Sequence, residues 1–492
     1  MKAFRTLAIA LLTLLAWSAV AGAQEPASAK WLNLKNAPTF AGDTALLLTD
    51  GTVMVHQYQS TNWWRLTPDI TGNYVNGTWT ELPAMPNHYQ PLYFGSAVLA
   101  DGNVIVEGGE YDGSQSETNQ GAYFNTTTNT WTAVTAPPGW THVGDAQGIV
   151  LPDGTFMLGN CGFSGGECSS IRFQQALLDE TTLTYTITGT GKADQNSEEG
   201  WTLLPNGDVL TVDMDNGTES EVYNPSTGTW SLAGSTIVSL PNPLPCYEIG
   251  PPILRPDGTV FWMGGSSNTA IYNTKTAAWS AGPAFPNGGG ITDGPAAILP
   301  DGNVLLSIAP SSSCYSTPSS FYEFNGTTFT AAPAPTGSTN QPTYVGRFLV
   351  LPTGQVLYTQ ASGAIHTQIY QPVGTFQAAW QPTITSVAST LTAGSTNNTI
   401  QGTQFNGLSQ GAAYGDDAQM ATNYPLVRIV NKATRHVFYA RTHNHSTMGV
   451  ATGSTIVSTE FDIPATIETG ASALFVVANG IPAKPVIVTI NP

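Results

Sequence analysis

Seven to nine residues before each of a series of Asp-Gly, Asn-Gly and Thr-Gly pairs, this chain carries carboxylates or tyrosines: Asp43, Tyr93, Asp145, Glu198, Glu199, Glu248, Asp293 and Tyr344. Most are acidic, in a chain where charged residues make up only 10%. Oxygen donors gathered in this way could hold a hard divalent cation such as calcium. Paired carboxylates such as Glu198 and Glu248 could instead serve as acid and base on a sugar substrate. For any one of these residues alone, the plainer alternative is a solvated strand end that bonds neighbouring backbone. Crowding favours a shared site, because like charges raise one another's pKa unless a cation or polar ligand neutralises them.

Such residues meet only if the chain brings its strand starts to one place. The turns centre on Asp50-Gly51, Asp101-Gly102, Asp153-Gly154, Asn206-Gly207, Asp257-Gly258, Asp301-Gly302 and Thr353-Gly354. In YFGSAVLADGNVIVEGG, residues 93–109, an apolar run, a two-residue turn that Gly makes cheap and a second apolar run read as a hairpin. An aromatic strand and a second turn follow in most copies: YFNTTTNTW, VYNPSTGTW, IYNTKTAAW and FYEFNGTTF. Four short strands repeating about every fifty residues predict a seven-bladed β-propeller over residues 30–380, since such units bury both faces only by stacking on their neighbours. Lys30 to Pro38, KWLNLKNAP, resembles the outer strand TWTELPAMP and is expected to close the ring; TFQAAWQP at 375–382 is the competing candidate. From 381 to 492 the blade pattern gives way to PLVRIV, HVFYAR, STEFDI, ALFVVA and PVIVTI, which predict an immunoglobulin-like β-sandwich. The fold class is therefore all-β throughout.

Residues 1–23 read as an export signal, with Lys2 and Arg5 before an apolar run and Ala21-Gly22-Ala23 as a cleavage site. The expected location is secreted or periplasmic. No later segment is apolar for long enough to span a membrane. The formal charge of −18 argues against nucleic acid and anionic membrane surfaces as partners, and leaves a glycan or an extracellular protein. Four cysteines in an exported chain predict disulfides, paired as Cys161–Cys168 and Cys246–Cys314. Trp63, Trp64 and Trp140 offer faces for sugar stacking, although packing between sheets is the commoner role.

Kelch-type blades, an export signal and the C-terminal segments YPLVRI, RTHNHSTMGVATG and ALFVVANGIP together resemble the secreted galactose oxidase and glyoxal oxidase group. That resemblance implies a copper ion on the propeller axis, held by two tyrosines and two histidines, one tyrosine being bonded to a cysteine. Tyr93 matches the cross-linked tyrosine, Tyr344 the axial one, and His443 a histidine of the C-terminal domain, with His445 as its alternative. Gly42 stands where the cysteine belongs and Val345 where the second histidine belongs. Copper-radical chemistry is accordingly not expected, and no cofactor is assured; a divalent cation such as calcium is the remaining candidate.

Overall fold

The computed structural model describes residues 28–492, apart from residues 114, 117, 145–146, 162–172, 216 and 244–245. The segment read as an export signal thus lies outside the described residues, as do Asp145 and Cys168. Seven antiparallel blades follow one another along the chain. Their inner strands are Gly42–Leu47, Gly95–Val98, Gly148–Val150, Thr202–Leu203, Ile249–Leu254, Pro295–Ile298 and Gly346–Val350. The inner strand of blade seven packs beside that of blade one, which closes the circle.

Each inner hairpin forms for a local reason. The turn glycine takes a positive φ, from +76° at Gly51 to +95° at Gly154, which a side chain would resist. The preceding Asp accepts the backbone N–H two residues on, at 2.9 Å for Asp50 with Thr52 and for Asp101 with Asn103. The inner strand Gly42–Leu47 is wholly buried, whereas outer strands such as Thr78–Glu81 are largely exposed. Between blades the core is aromatic: Trp63 packs against Phe94 and Trp131, and Phe261 stacks on Phe324. Full burial of one such side chain contributes roughly 1.5–3 kcal/mol.

The ring closes through the N-terminal strand. Lys30–Asn33 pairs antiparallel with Gln368–Gln371, and the Trp31 ring sits 4.9 Å from that of Tyr370. The competing segment forms a short 3-10 turn, Ala378–Trp380, whose Trp380 covers the turn glycine Gly302. Strands from the two ends of the propeller thus share one sheet.

Beyond the propeller lies a curled nine-stranded sheet with its own apolar core around Val427, Ile429, Phe461, Leu474 and Val488. It docks on the end of the propeller where the inner-hairpin turns lie. Arg441 donates to the Asp101 carbonyl at 2.6 Å, Met448 N to Pro152 O at 2.9 Å, and the Tyr439 ring covers Gly51. One segment leaves that sheet and enters the ring: Ala412–Tyr414 adds to the inner edge of blade six, pairing with Pro295–Ala297. Among the described residues, no helix is long and apolar enough to cross a membrane.

Candidate functional site: the axial mouth

Strand starts of successive blades converge at the end of the propeller away from the curled sheet. Tyr93, Glu198 and Asp293 each stand eight residues before their turn, and each takes a left-handed backbone, with φ of +52°, +61° and +46°. Non-glycine residues in that region cost of order 1–3 kcal/mol and cluster at functional sites. One ligand oxygen from each of Glu198, Glu248 and Asp293 lies within 4.8 Å of the other two. Blades four, five and six therefore place three carboxylates around one point.

Tyrosines border this trio. Tyr315, on the loop after the second strand of blade six, donates its hydroxyl to Glu248 Oε1 at 2.5 Å. Its ring meets Tyr344 edge-on at 5.0 Å between centroids, Tyr344 meets Tyr93 at 6.1 Å, and Tyr93 meets Tyr111 at 6.3 Å. The result is an arc of four phenols with exposed ends. Burial, reinforced by the Glu248 carboxylate, holds the Tyr315 phenol well above its ordinary pKa; burial holds Tyr93 well above it too, and raises Tyr344. All stay neutral near pH 7, able to donate a hydrogen bond.

Beside Tyr93 sits a buried cation. Arg347 lies 3.4 Å from the ring centroid of Tyr414 and 5.8 Å from that of Tyr93, and its Nη2 is 3.2 Å from Asp43 Oδ1. Burial alone would raise the Asp43 carboxyl, but Arg347 and His56 outweigh it and hold the pKa below the usual range. Asp43 is thus committed to an internal ion pair.

The inserted segment completes the mouth. Tyr414 donates to the Tyr344 carbonyl at 2.7 Å, Asp416 accepts the Glu198 N–H at 2.6 Å, and Gly415 packs against Asp293. Asp416 and Asp417 are both buried there. The contribution of the C-terminal unit is therefore this acidic segment, and His443 takes no part. His443 Nε2 lies 3.1 Å from Asp462 and Nδ1 3.8 Å from Glu460, both on its own sheet. Its neighbour Thr442 bonds Thr49 beside the first turn, so His443 sits at the opposite end. Seven to nine residues of chain, roughly 25 Å when extended, separate the mouth from the turns. His445 is at that end too, with its N–H on the Ala100 carbonyl.

Glu199 also turns away from the mouth. It accepts from Lys192 at 2.8 Å, Thr211 at 3.0 Å and Gln147 at 3.3 Å, in a buried cluster that includes Glu221, 2.6 Å from the same ammonium. Asp194, Glu199 and Asp213 bring oxygens within 4.8 Å of one another, with the Lys192 ammonium bound to Glu199 itself. The tryptophans are packing residues: Trp63 and Trp140 are buried, and Trp64 stacks on Phe40 at 4.7 Å. Cys246 and Cys314 are bonded, with Cα atoms 5.2 Å apart. Cys161 is also disulfide-bonded. Missed by sequence reasoning were Tyr111, Tyr315, Arg347, Tyr414 and Asp416; only Tyr315, next to a predicted disulfide cysteine, carried a signal.

No protein-family model and no curated protein matches the chain. Among solved structures it is similar to a fungal alcohol oxidase of the AA5 family in complex with copper, at 15% identity and a TM-score of 0.52, covering 95% of this chain and 100% of that one. The likeness is one of fold. It is also similar to an extracellular domain of a hybrid two-component system from B. thetaiotaomicron, at 10% identity and TM-score 0.46, covering 95% of this chain and 59% of that one. A third similar structure is that of YjhT, at 13% identity and TM-score 0.40, covering 61% of this chain and 99% of that one.

Proposed function

We propose that this chain is an exported kelch-type propeller that binds a polyhydroxylated ligand, a glycan, at its acidic axial mouth, with a hard divalent cation held by Glu198, Glu248 and Asp293. The observation that carries this reading is the approach of three carboxylate oxygens to within 4.8 Å beside an arc of neutral phenols. Mutual repulsion at that distance is relieved by a shared cation, and calcium takes carboxylate and sugar hydroxyl oxygens alike. Tyrosine faces supply the apolar contact that a sugar ring needs.

Copper does not fit this site. Gly42 packs against Thr359 and Val55, Val345 is buried, and His443 belongs to the far end of the propeller. The ligand atoms gathered at the mouth are carboxylate oxygens, and the Arg347 guanidinium stands beside Tyr93. An oxygen-only set does not suit the nitrogen preference of copper.

A second reading is a carbohydrate-active enzyme using Glu198 and Glu248 as acid and base. Inverting hydrolysis needs roughly 6.5–9.5 Å between carboxyl groups to seat a water, whereas one oxygen of each carboxyl in this trio lies within 4.8 Å of the others. The retaining arrangement, at about 5–5.5 Å, is the nearer match.

Calorimetric titration of the purified protein with calcium, followed by a glycan array with and without calcium, tests the proposal. Calcium binding that Asp293→Asn weakens, with glycan capture that depends on calcium, is the expected result. Absence of both would sink it, and release of new reducing ends from a captured glycan would move the assignment to the enzyme.

A further inference from the structure

The loop that carries Tyr315 is fastened to the mouth at few points. Residues 312–318 form no strand, and Ser313 and Ser316 bond each other. Among the described residues, the hydrogen bond that leaves this stretch is the one from Tyr315 to Glu248. The covalent fastening is one residue away on one side and two on the other: Cys314 precedes Tyr315, and its partner Cys246 lies two residues before Glu248. Tyr315 is 47% exposed although its phenol is tied down, so part of the residue remains accessible to a ligand. Its backbone is also left-handed, at φ +49°, a conformation that an aromatic residue keeps only when its surroundings impose it.

We propose that Tyr315 is the ligand-positioning residue of the mouth, and that the Cys246–Cys314 disulfide tethers it over Glu248, so that ligand binding there depends on the oxidised state of this pair. The inference rests on the reading of the mouth as a cation and glycan site. A dithiol reductant supplies two electrons and two protons, the S–S bond breaks to two thiols, and the reductant closes to its own disulfide. The phenol then meets the carboxylate only when a freed loop happens to bring it there. The local concentration of the phenol at Glu248 falls, and with it the preorganisation of the site.

Terbium is a suitable probe, because it replaces calcium and emits when a nearby tyrosine is excited. Oxidised protein, protein reduced after folding with dithiothreitol, and the C246S/C314S variant would be titrated with terbium, and amide exchange of residues 312–318 followed in each. The expected result is an affinity lower by roughly tenfold on reduction and in the variant, with faster exchange confined to this loop. In Tyr315→Phe with the disulfide intact, the sensitised emission at saturation should drop. Equal affinity in the oxidised and reduced forms overturns the inference. If oxidised protein binds no terbium, the cation reading fails by itself, and exchange decides the tether: unchanged protection of 312–318 on reduction would overturn it.

Discussion

Tyr315 Oη lies 2.5 Å from Glu248 Oε1, a contact that joins the outer loop of blade six to the entry of blade five across the rim of the mouth. It sits between a disulfide and a carboxylate cluster, so the chemistry of the mouth and the mechanics of its rim are coupled.

Replacing Glu198 or Asp293 by its amide should raise stability in the absence of a cation while weakening calcium binding. Each substitution removes one charge from a group of three within 4.8 Å. Thermal unfolding with and without calcium checks this. A lower melting temperature with calcium affinity unchanged would assign both residues to structure.

Lys192 holds two buried carboxylates, Glu199 at 2.8 Å and Glu221 at 2.6 Å. Lys192→Met should cost about 3–5 kcal/mol, because it leaves two acids facing each other without a cation. Urea unfolding measures it. The triple variant with Glu199→Gln and Glu221→Gln should recover much of that loss, since the two carboxylates that the ammonium neutralises are then gone.

Two buried groups should tilt the pH dependence in opposite directions. Burial, partly countered by the Tyr185 hydroxyl, pushes the Glu107 carboxyl up to about 8, so between pH 4.5 and 8 the unfolded chain sheds a proton that the folded chain keeps. Stability is lost as pH rises through this window. Burial, helped by the nearby His443 and Arg441 charges, lowers His445 to about 3. Below pH 6.5 the unfolded chain takes up that proton first, so stability is lost as pH falls. Denaturant titrations from pH 4.5 to 9 should show the alkaline slope flattened in Glu107→Gln and the acid slope reduced in His445→Gln.

Gly102→Ala should destabilise by more than about 1 kcal/mol, since φ is +78° there and a Cβ would come within 2.7 Å of the Thr442 carbonyl. A Gly139→Ala control has a similar φ of +82° but open space around it. It should cost less, and the difference reports the contact between propeller and curled sheet.

Much of the fold was legible because its causes are local. Asp101-Gly102 makes its turn from its own side chain and its own φ, and the repeat of that turn seven times implies strands that must stack. The Lys30–Asn33 strand was recognisable because Trp31 repeats the pattern of Trp79, another outer-strand tryptophan. The spacing of seven to nine residues before each turn likewise pointed to Tyr93, Glu198, Glu248, Asp293 and Tyr344, since strand starts of a propeller share one end.

Side-chain direction and long-range insertion were not legible. Glu198 and Glu199 are adjacent, yet neighbouring residues at a strand entry point to different sides, and one faces the mouth while the other faces Lys192. His443 was placed at the axis by resemblance, but its strand pairs with Val457–Asp462 and runs over the turn end. Nothing in the local pattern of AAYGDDAQM says that it leaves its sheet to pair with Pro295–Ala297. The sequence by itself determined the repeat, the turns and the end of the ring where oxygen donors collect, because each depends on residues close together in the chain. Only the tertiary structure decided that Asp416, Arg347 and Tyr315 join them, because those contacts are made between segments that are 67 to 304 residues apart, Tyr315 with Glu248 and Arg347 with Asp43.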